Sequence, residues 1–277
     1  MKKIIINTIR IIVLIVACGY FTFASYNLTK SFLGYKNDDK VNDEINNIFM
    51  RAEDEIDDEV EAEENQTDKN KEKKDSNSIP GYNEKEKKWV WDFDAIKEFN
   101  PESVGYIKLN DSRIQYPIVQ TDLNDYYLNH SFNRTTNGNG AIFVDSRIQG
   151  GLDSQSCIVY GHDMMDGSMF AGLLKYNDAD FCKNHQVYDI YVGYRHYRYY
   201  VFSSFRIDAK DEDIYRFGFV DDQDYQGWID KCKAKSTYNY EYGVPDTTKK
   251  TIMLSTCVNN YDLRHVVCLY RGEEVVD

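Results

Sequence analysis

A mainly β domain, a barrel or a sandwich, is the fold class this sequence predicts, on three observations. Tyr and Phe are abundant, 23 and 14 of 277 residues, and such rings suit a pleated, half-buried surface. The apolar runs after residue 100 are short and bounded by turn residues, as a set of many short strands requires. Helical spacing in that folded part is confined to a few short stretches. The length allows one large core even after terminal extensions are set aside. The formal net charge of -13 argues against a nucleic-acid partner, because neutralising a phosphate backbone needs Lys and Arg clustered on one face.

Taken in order, Met1-Lys2-Lys3 precedes an apolar run from Ile4 to Ala24, interrupted by Asn7, Thr8 and Arg10. That is close to the roughly 20 residues needed to cross a bilayer and longer than the roughly 7–15 of a signal-peptide core. Residues 1–25 are therefore expected to be a cytoplasmic tip and one transmembrane anchor, with Lys2, Lys3 and Arg10 keeping the N-terminus inside and the rest of the chain outside. A cleaved signal peptide is the alternative, with Ala17-Cys18-Gly19 as a weak small-residue site. Residues 26–80 read as a charged stalk. Between Asn37 and Ser78 they are dominated by Asp, Glu, Lys and Asn, too few apolar groups to offset ordering entropy, with a transient helix expected from Asn42 to Glu64. A solvated helix packed on the domain is the alternative there.

The folded domain is expected over residues 81–277. Trp89 to Phe99 spaces its apolar residues as a helix or a pair of helices, and Asn100-Pro101 ends it. Val104–Leu109 and Ile114–Val119, joined by a turn at Asn110-Asp111-Ser112, read as a β-hairpin. Further strands are expected at Gly140–Asp145, Ser156–Tyr160, Gln186–Val192, Tyr197–Ile207, Thr251–Ser255 and Arg264–Tyr270. Helices are expected between strands at Met169–Tyr176 and Asp221–Lys235.

Six cysteines occur, Cys18, Cys157, Cys182, Cys232, Cys257 and Cys268, with no CxxC pair, so a zinc site is not expected. Cys18 falls in the apolar segment and the other five are odd in number, so one thiol is left over unless the chain pairs with another. Cys257 follows the apolar strand Thr251-Ile252-Met253-Leu254 where it is expected to run out into a loop. A free cysteine is more often a small buried hydrophobe than a nucleophile. Its neighbourhood changes that reading: Arg264, seven positions on, is expected to begin the next strand, where a fixed cation would stabilise a thiolate or a developing oxyanion. Ile158-Val159-Tyr160-Gly161-His162 is a strand that delivers a histidine at its end. His130, His185, His196 and His265 lie in polar or charged contexts and read as surface residues.

Val159-Tyr160-Gly161-His162, with Leu254-Ser255-Thr256-Cys257 and then Arg264, resembles the signatures of the sortases. Met253 stands where that family's TLxTC-type strand end usually has Thr. The resemblance covers about Trp89 to Tyr270 and is most similar to class B, on the N-terminal helical segment, the stretch Asp163 to Phe170 and the helix at Asp221–Lys235. It implies a closed β-barrel with N-terminal helices and an inserted helix between late strands. It implies a transpeptidase in which Cys257 is the nucleophile, His162 its proton partner and Arg264 the oxyanion stabiliser, with no metal or organic cofactor. By position, Asn124, Leu128, Tyr160 and Ser255 match residues that line the substrate groove, Asn124 and Leu128 being four apart as on one helical face. Asp145 resembles a recurrent aspartate and reads as structural. The implied partners are surface proteins bearing a sorting signal, cut after Thr in an Asn-Pro-x-Thr-Asn or (Ser/Pro/Asn)-Pro-x-Thr-Gly motif, and a peptidoglycan amine. Two rival readings are an envelope cysteine hydrolase, which would place the cysteine before the histidine and at a helix start, and a non-enzymatic adhesin, which leaves the cysteine unexplained.

Overall fold

The computed structural model describes residues 2–49, 91–258 and 260–276. The chain divides into two compact units, Met1–Lys40 and Val41–Asp277. Helix α1, Lys2–Phe49, runs unbroken through the first of them, in a stretch free of proline. Its segment Arg10–Lys30 has mean hydropathy 1.8 and is long and apolar enough to cross a membrane. Ile and Val lose rotamer freedom in helices, yet in lipid a helix satisfies every backbone group of a single span. The helix covers residues 26–41 as well, before the expected start at Asn42; residues 50–80 of the expected stalk, and Trp89 and Val90, lie outside the described residues.

After the end of α1, the first element described in the second unit is helix α2, Phe93–Phe99, capped by Asp92, whose side chain accepts from Ala95 N at 2.8 Å. Eight strands follow: β1 Ser103–Lys108, β2 Gln115–Val119, β3 Ile142–Val144, β4 Ser156–Tyr160, β5 Val187–Val192, β6 Arg195–Asp208, β7 Thr251–Val258 and β8 Asn260–Val275. They close into a barrel in the order β1-β2-β3-β4-β7-β8-β6-β5. The β2–β3 and β4–β7 pairs are parallel. The predicted hairpin is β1–β2, turned by Asp111 at φ 56° and pinned by Ser112 Oγ, which donates to Leu109 O at 2.8 Å.

Alternation along β7 sorts its side chains: Ile252 and Leu254 join the main core, while Met253 joins a second core outside it. Burial on both faces is why β4 and β7 read as unbroken apolar runs. The outer core is covered by helix α4, Asp222–Lys235, through Tyr225, Trp228, Ile229 and Cys232. Asp221 caps it, accepting from Asp224 N at 2.8 Å, and its acidic first turn and basic last turn suit the helix dipole. Trp228, 3 % exposed, also donates Nε1 to Ile214 O at 2.9 Å. Trp228→Ala should therefore cost about 3–5 kcal/mol, read as a lower urea midpoint.

The stretch expected as a helix at Met169–Tyr176 is a 3₁₀-helix, Phe170–Asn177, followed by helix α3, Ala179–Asn184. Its large buried side chains Phe170, Leu173 and Tyr176 recur every three residues, the period of a 3₁₀ turn.

His265 departs from its surface reading. It shares a strand face with Val267 and Leu269 and is 0 % exposed, opposite Thr256 on β7 and Arg206 on β6. Burial, and next the Arg206 charge, push its imidazole down to about 4, whereas an unfolded chain's titrates near 6.5. Below about 6.5 the unfolded state takes up a proton that the folded state refuses until about pH 4, so stability is lost as pH falls through that window. His265→Met should spare roughly 2–3 kcal/mol of the loss between pH 7 and pH 4.5. Urea midpoints that fall equally in both proteins would refute this.

Candidate active site

At one end of the barrel the parallel register sets Tyr160 beside Ser255, and Gly161 N donates to Ser255 O at 3.2 Å. The chain leaves β4 there, and His162 follows at once, half-buried. Gly161 is required by the close approach: a Cβ on it would lie 2.5 Å from Ile142 Cδ1 and 2.7 Å from Phe170. His162 Nε2 lies 2.9 Å from Leu128 O. A carbonyl only accepts, so Nε2 carries the proton and, in the neutral ring, Nδ1 is left as the base.

The β2–β3 connection brings Leu128 to the histidine. It is a run of turns, with Tyr126 N donating to Leu123 O at 3.1 Å and Asn129 N to Tyr126 O at 3.2 Å, and not the helical face expected for Asn124 and Leu128. Gly140, at φ +64°, closes this loop over the ring; a Cβ there would meet Tyr127 O at 2.5 Å and His162 Cδ2 at 3.0 Å. Gly140→Ala should displace His162 and lower kcat by on the order of 10–10²-fold, more than KM, measured with a sorting peptide.

On the strands next to β4, the antiparallel register of β7 and β8 sets Cys257 directly opposite Arg264. Cys257 lies within β7, which continues to Val258, and β8 begins at Asn260, so this pair sits inside a ladder and not at the loop and strand start expected. The apolar pattern stops at the polar stretch 259–262, but backbone pairing needs no apolar side chain. Arg264 is half-buried, and its Nη1 donates to Leu263 O at 3.0 Å.

A cavity of about 260 Å³ is lined by His162 and Arg264 together with Asn124, Leu128, Tyr160 and Ser255, so all four expected groove residues border it. Several are already engaged. Asn124 Oδ1 accepts from Ser146 N at 2.7 Å, and Ser255 Oγ and Tyr215 OH are 2.9 Å apart. Tyr160 OH donates to Asp145 Oδ2 at 3.0 Å, and burial with the Asp145 charge raises the Tyr160 phenol.

Asp145 is buried in the cavity wall, where burial alone would raise its carboxyl; hydrogen bonds from the Arg147 side chain and backbone, from Asn124 and from Tyr160 outweigh this and hold it below the usual range. Arg147 binds it through Nε at 2.9 Å and Nη2 at 2.7 Å, and stacks on Phe217 at 3.6 Å. Asp145 is thus matched to Arg147, and Arg264 is the second guanidinium of the lining. The sequence reading did not single out Tyr215, Arg147 or Gly140. The Asp145-x-Arg147 spacing could have flagged Arg147; Tyr215 and Gly140 act through loop geometry that no local pattern encodes.

The matching family model is the Sortase domain, over residues 107–271. Sortase B of Staphylococcus aureus is 36% identical over 170 residues, 61% of this chain and 68% of that one. Sortase B of Listeria monocytogenes is 32% identical over 182 residues, 65% and 72% of the two chains. Among solved structures, a Staphylococcus aureus sortase B–substrate complex matches with TM-score 0.60 and 33% identity, covering 65% of this chain and 84% of that one. Clostridium perfringens sortase B matches with TM-score 0.62 and 27% identity, covering 65% and 99%.

A closed barrel of this order, in that company, is the framework of a cysteine transpeptidase. The chain belongs to the sortase family, and within it to class B.

Proposed function

We propose that Cys257 is the nucleophile, His162 the general acid and base, and Arg264 the oxyanion stabiliser of a transpeptidation that fixes surface proteins to the cell wall. The observation that carries this reading is the direct pairing of Cys257 with Arg264, which lines one cavity with His162. In the first step the Cys257 sulfur attacks the carbonyl after Thr in an Asn-Pro-x-Thr-Asn or (Ser/Pro/Asn)-Pro-x-Thr-Gly signal. The carbon–nitrogen bond breaks, the proton that His162 Nδ1 has taken from the Cys257 thiol passes to the leaving amine, and a thioester remains. In the second step a peptidoglycan amine attacks the thioester, gives a proton to His162 and releases the thiol. Asn124, Leu128, Tyr160 and Ser255 form the groove wall for the signal. The Arg10–Lys30 segment anchors the enzyme as a single span, with its N-terminus in the cytoplasm and the barrel outside.

The test is a panel of quenched pentapeptides offered to the full chain in detergent, with and without an added amine. Cleavage of one motif with amine-dependent product supports the reading. Hydrolysis unaffected by any amine would overturn the transfer step, and cleavage blind to the motif would overturn the signal. Protease applied to intact cells should remove the barrel and spare the N-terminal tip; a protected barrel would overturn the topology.

A further inference from the structure

Outside the cavity, the buried outer core holds two thiols that the proposed reaction does not use. Cys232, on α4, and Cys268, on β8, are both 0 % exposed and belong to the same core cluster. Two observations place them near each other. Both are free thiols in this structure, and Cys268 acts electrostatically on the Cys232 side chain. The Cys232 backbone is also fixed to the barrel at this point: Ser203 Oγ donates to Cys232 O at 2.6 Å, and Ser203 stands directly opposite Cys268 in the β6–β8 ladder. Directly opposed residues of such a ladder are only about 4.5–5.5 Å apart at Cα, so one serine ties the helix backbone at Cys232 to the strand position that faces Cys268. Cys157 and Cys182, by contrast, sit in the separate interior cluster.

We propose that Cys232 and Cys268 are joined as a disulfide in the exported protein, fastening α4 to the strand that carries Arg264. The two thiols lose two protons and two electrons to a thiol–disulfide oxidant, whose own disulfide is reduced to a pair of thiols. With both sulfurs fully buried, exchange takes place before α4 docks, and the closed bond is then sheltered from reductants. Burial raises the Cys232 thiol, which makes the folded dithiol slow to react and places the step during folding. The ring closed by residues 232–268 is long enough for a clear entropic effect on the unfolded chain.

This inference rests on the proposal that the barrel lies outside the membrane; refolding tests the sulfur geometry alone, so its failure is distinct from a failure of the topology. The full chain with Cys257→Ala, which removes the proposed nucleophile as a competitor in exchange, is denatured in detergent and refolded with mixed reduced and oxidised glutathione. It is then alkylated and digested. The expected result is a linked pair of peptides holding Cys232 and Cys268, lighter by two hydrogens than the separate pair. A melting temperature that falls by roughly 10 °C with reductant is also expected, and this sensitivity should vanish in Cys232→Ala/Cys268→Ala. Recovery of both peptides fully alkylated, or linkage of either cysteine to Cys157 or Cys182, would overturn the proposal, as would a reductant-insensitive melting temperature in the linked protein.

Discussion

Cys257→Ala is expected to leave no measurable cleavage or transfer of a sorting peptide, while the unfolding free energy from urea titration changes by less than about 1 kcal/mol. The two halves of this expectation come from different parts of the molecule. The fold at this position is held by main-chain pairing, with Cys257 opposite Arg264 and Thr256 opposite His265, and alanine keeps that ladder intact. The chemistry has no substitute in the barrel, because the other thiols of that unit, Cys157, Cys182, Cys232 and Cys268, are all buried. Mass spectrometry should find an acyl adduct on the wild-type chain and none on the variant. Full turnover by the variant would remove Cys257 from the mechanism.

Arg264→Ala should lower kcat by on the order of 10²–10³-fold with a smaller change in KM, the signature of a group whose contact strengthens as negative charge develops. Arg147 lies in the same cavity wall but is committed to Asp145 through two hydrogen bonds, so it does not compensate. Arg264→Lys should fall between the two, since an ammonium supplies the charge but not the planar fork of donors. An equal loss in KM with kcat preserved would make Arg264 a binding residue and sink its assignment to the oxyanion.

The hairpin and the outline of every strand were legible because the strands are short apolar or alternating runs and their turns carry the expected residues. The family was legible because short runs of residue types at the end of β4 and of β7, Tyr160-Gly161-His162 and Ser255-Thr256-Cys257, carry the resemblance. Other features were set by partners far along the chain. Ranking histidines by their polar neighbours placed His265 at the surface; counting alternate residues from Val267 would have placed it inside. Helical spacing drew Asn124 and Leu128 as one face, yet turns suffice to bring both to the cavity. Tyr215 reaches Ser255 from 40 residues away, a contact no window of sequence contains.

The parallel pairing of β4 with β7 has a kinetic consequence. Tyr160 and Ser255, neighbours in the sheet, are joined by a connection that includes β5, β6 and α4, so the contact order at the centre of this site is high. His162 emerges early and must wait for β7 and β8, which bring Cys257 and Arg264. A chain threaded outward from its N-terminal segment would therefore gain a histidine loop first and a competent thiol last, keeping nascent enzyme silent until the barrel closes.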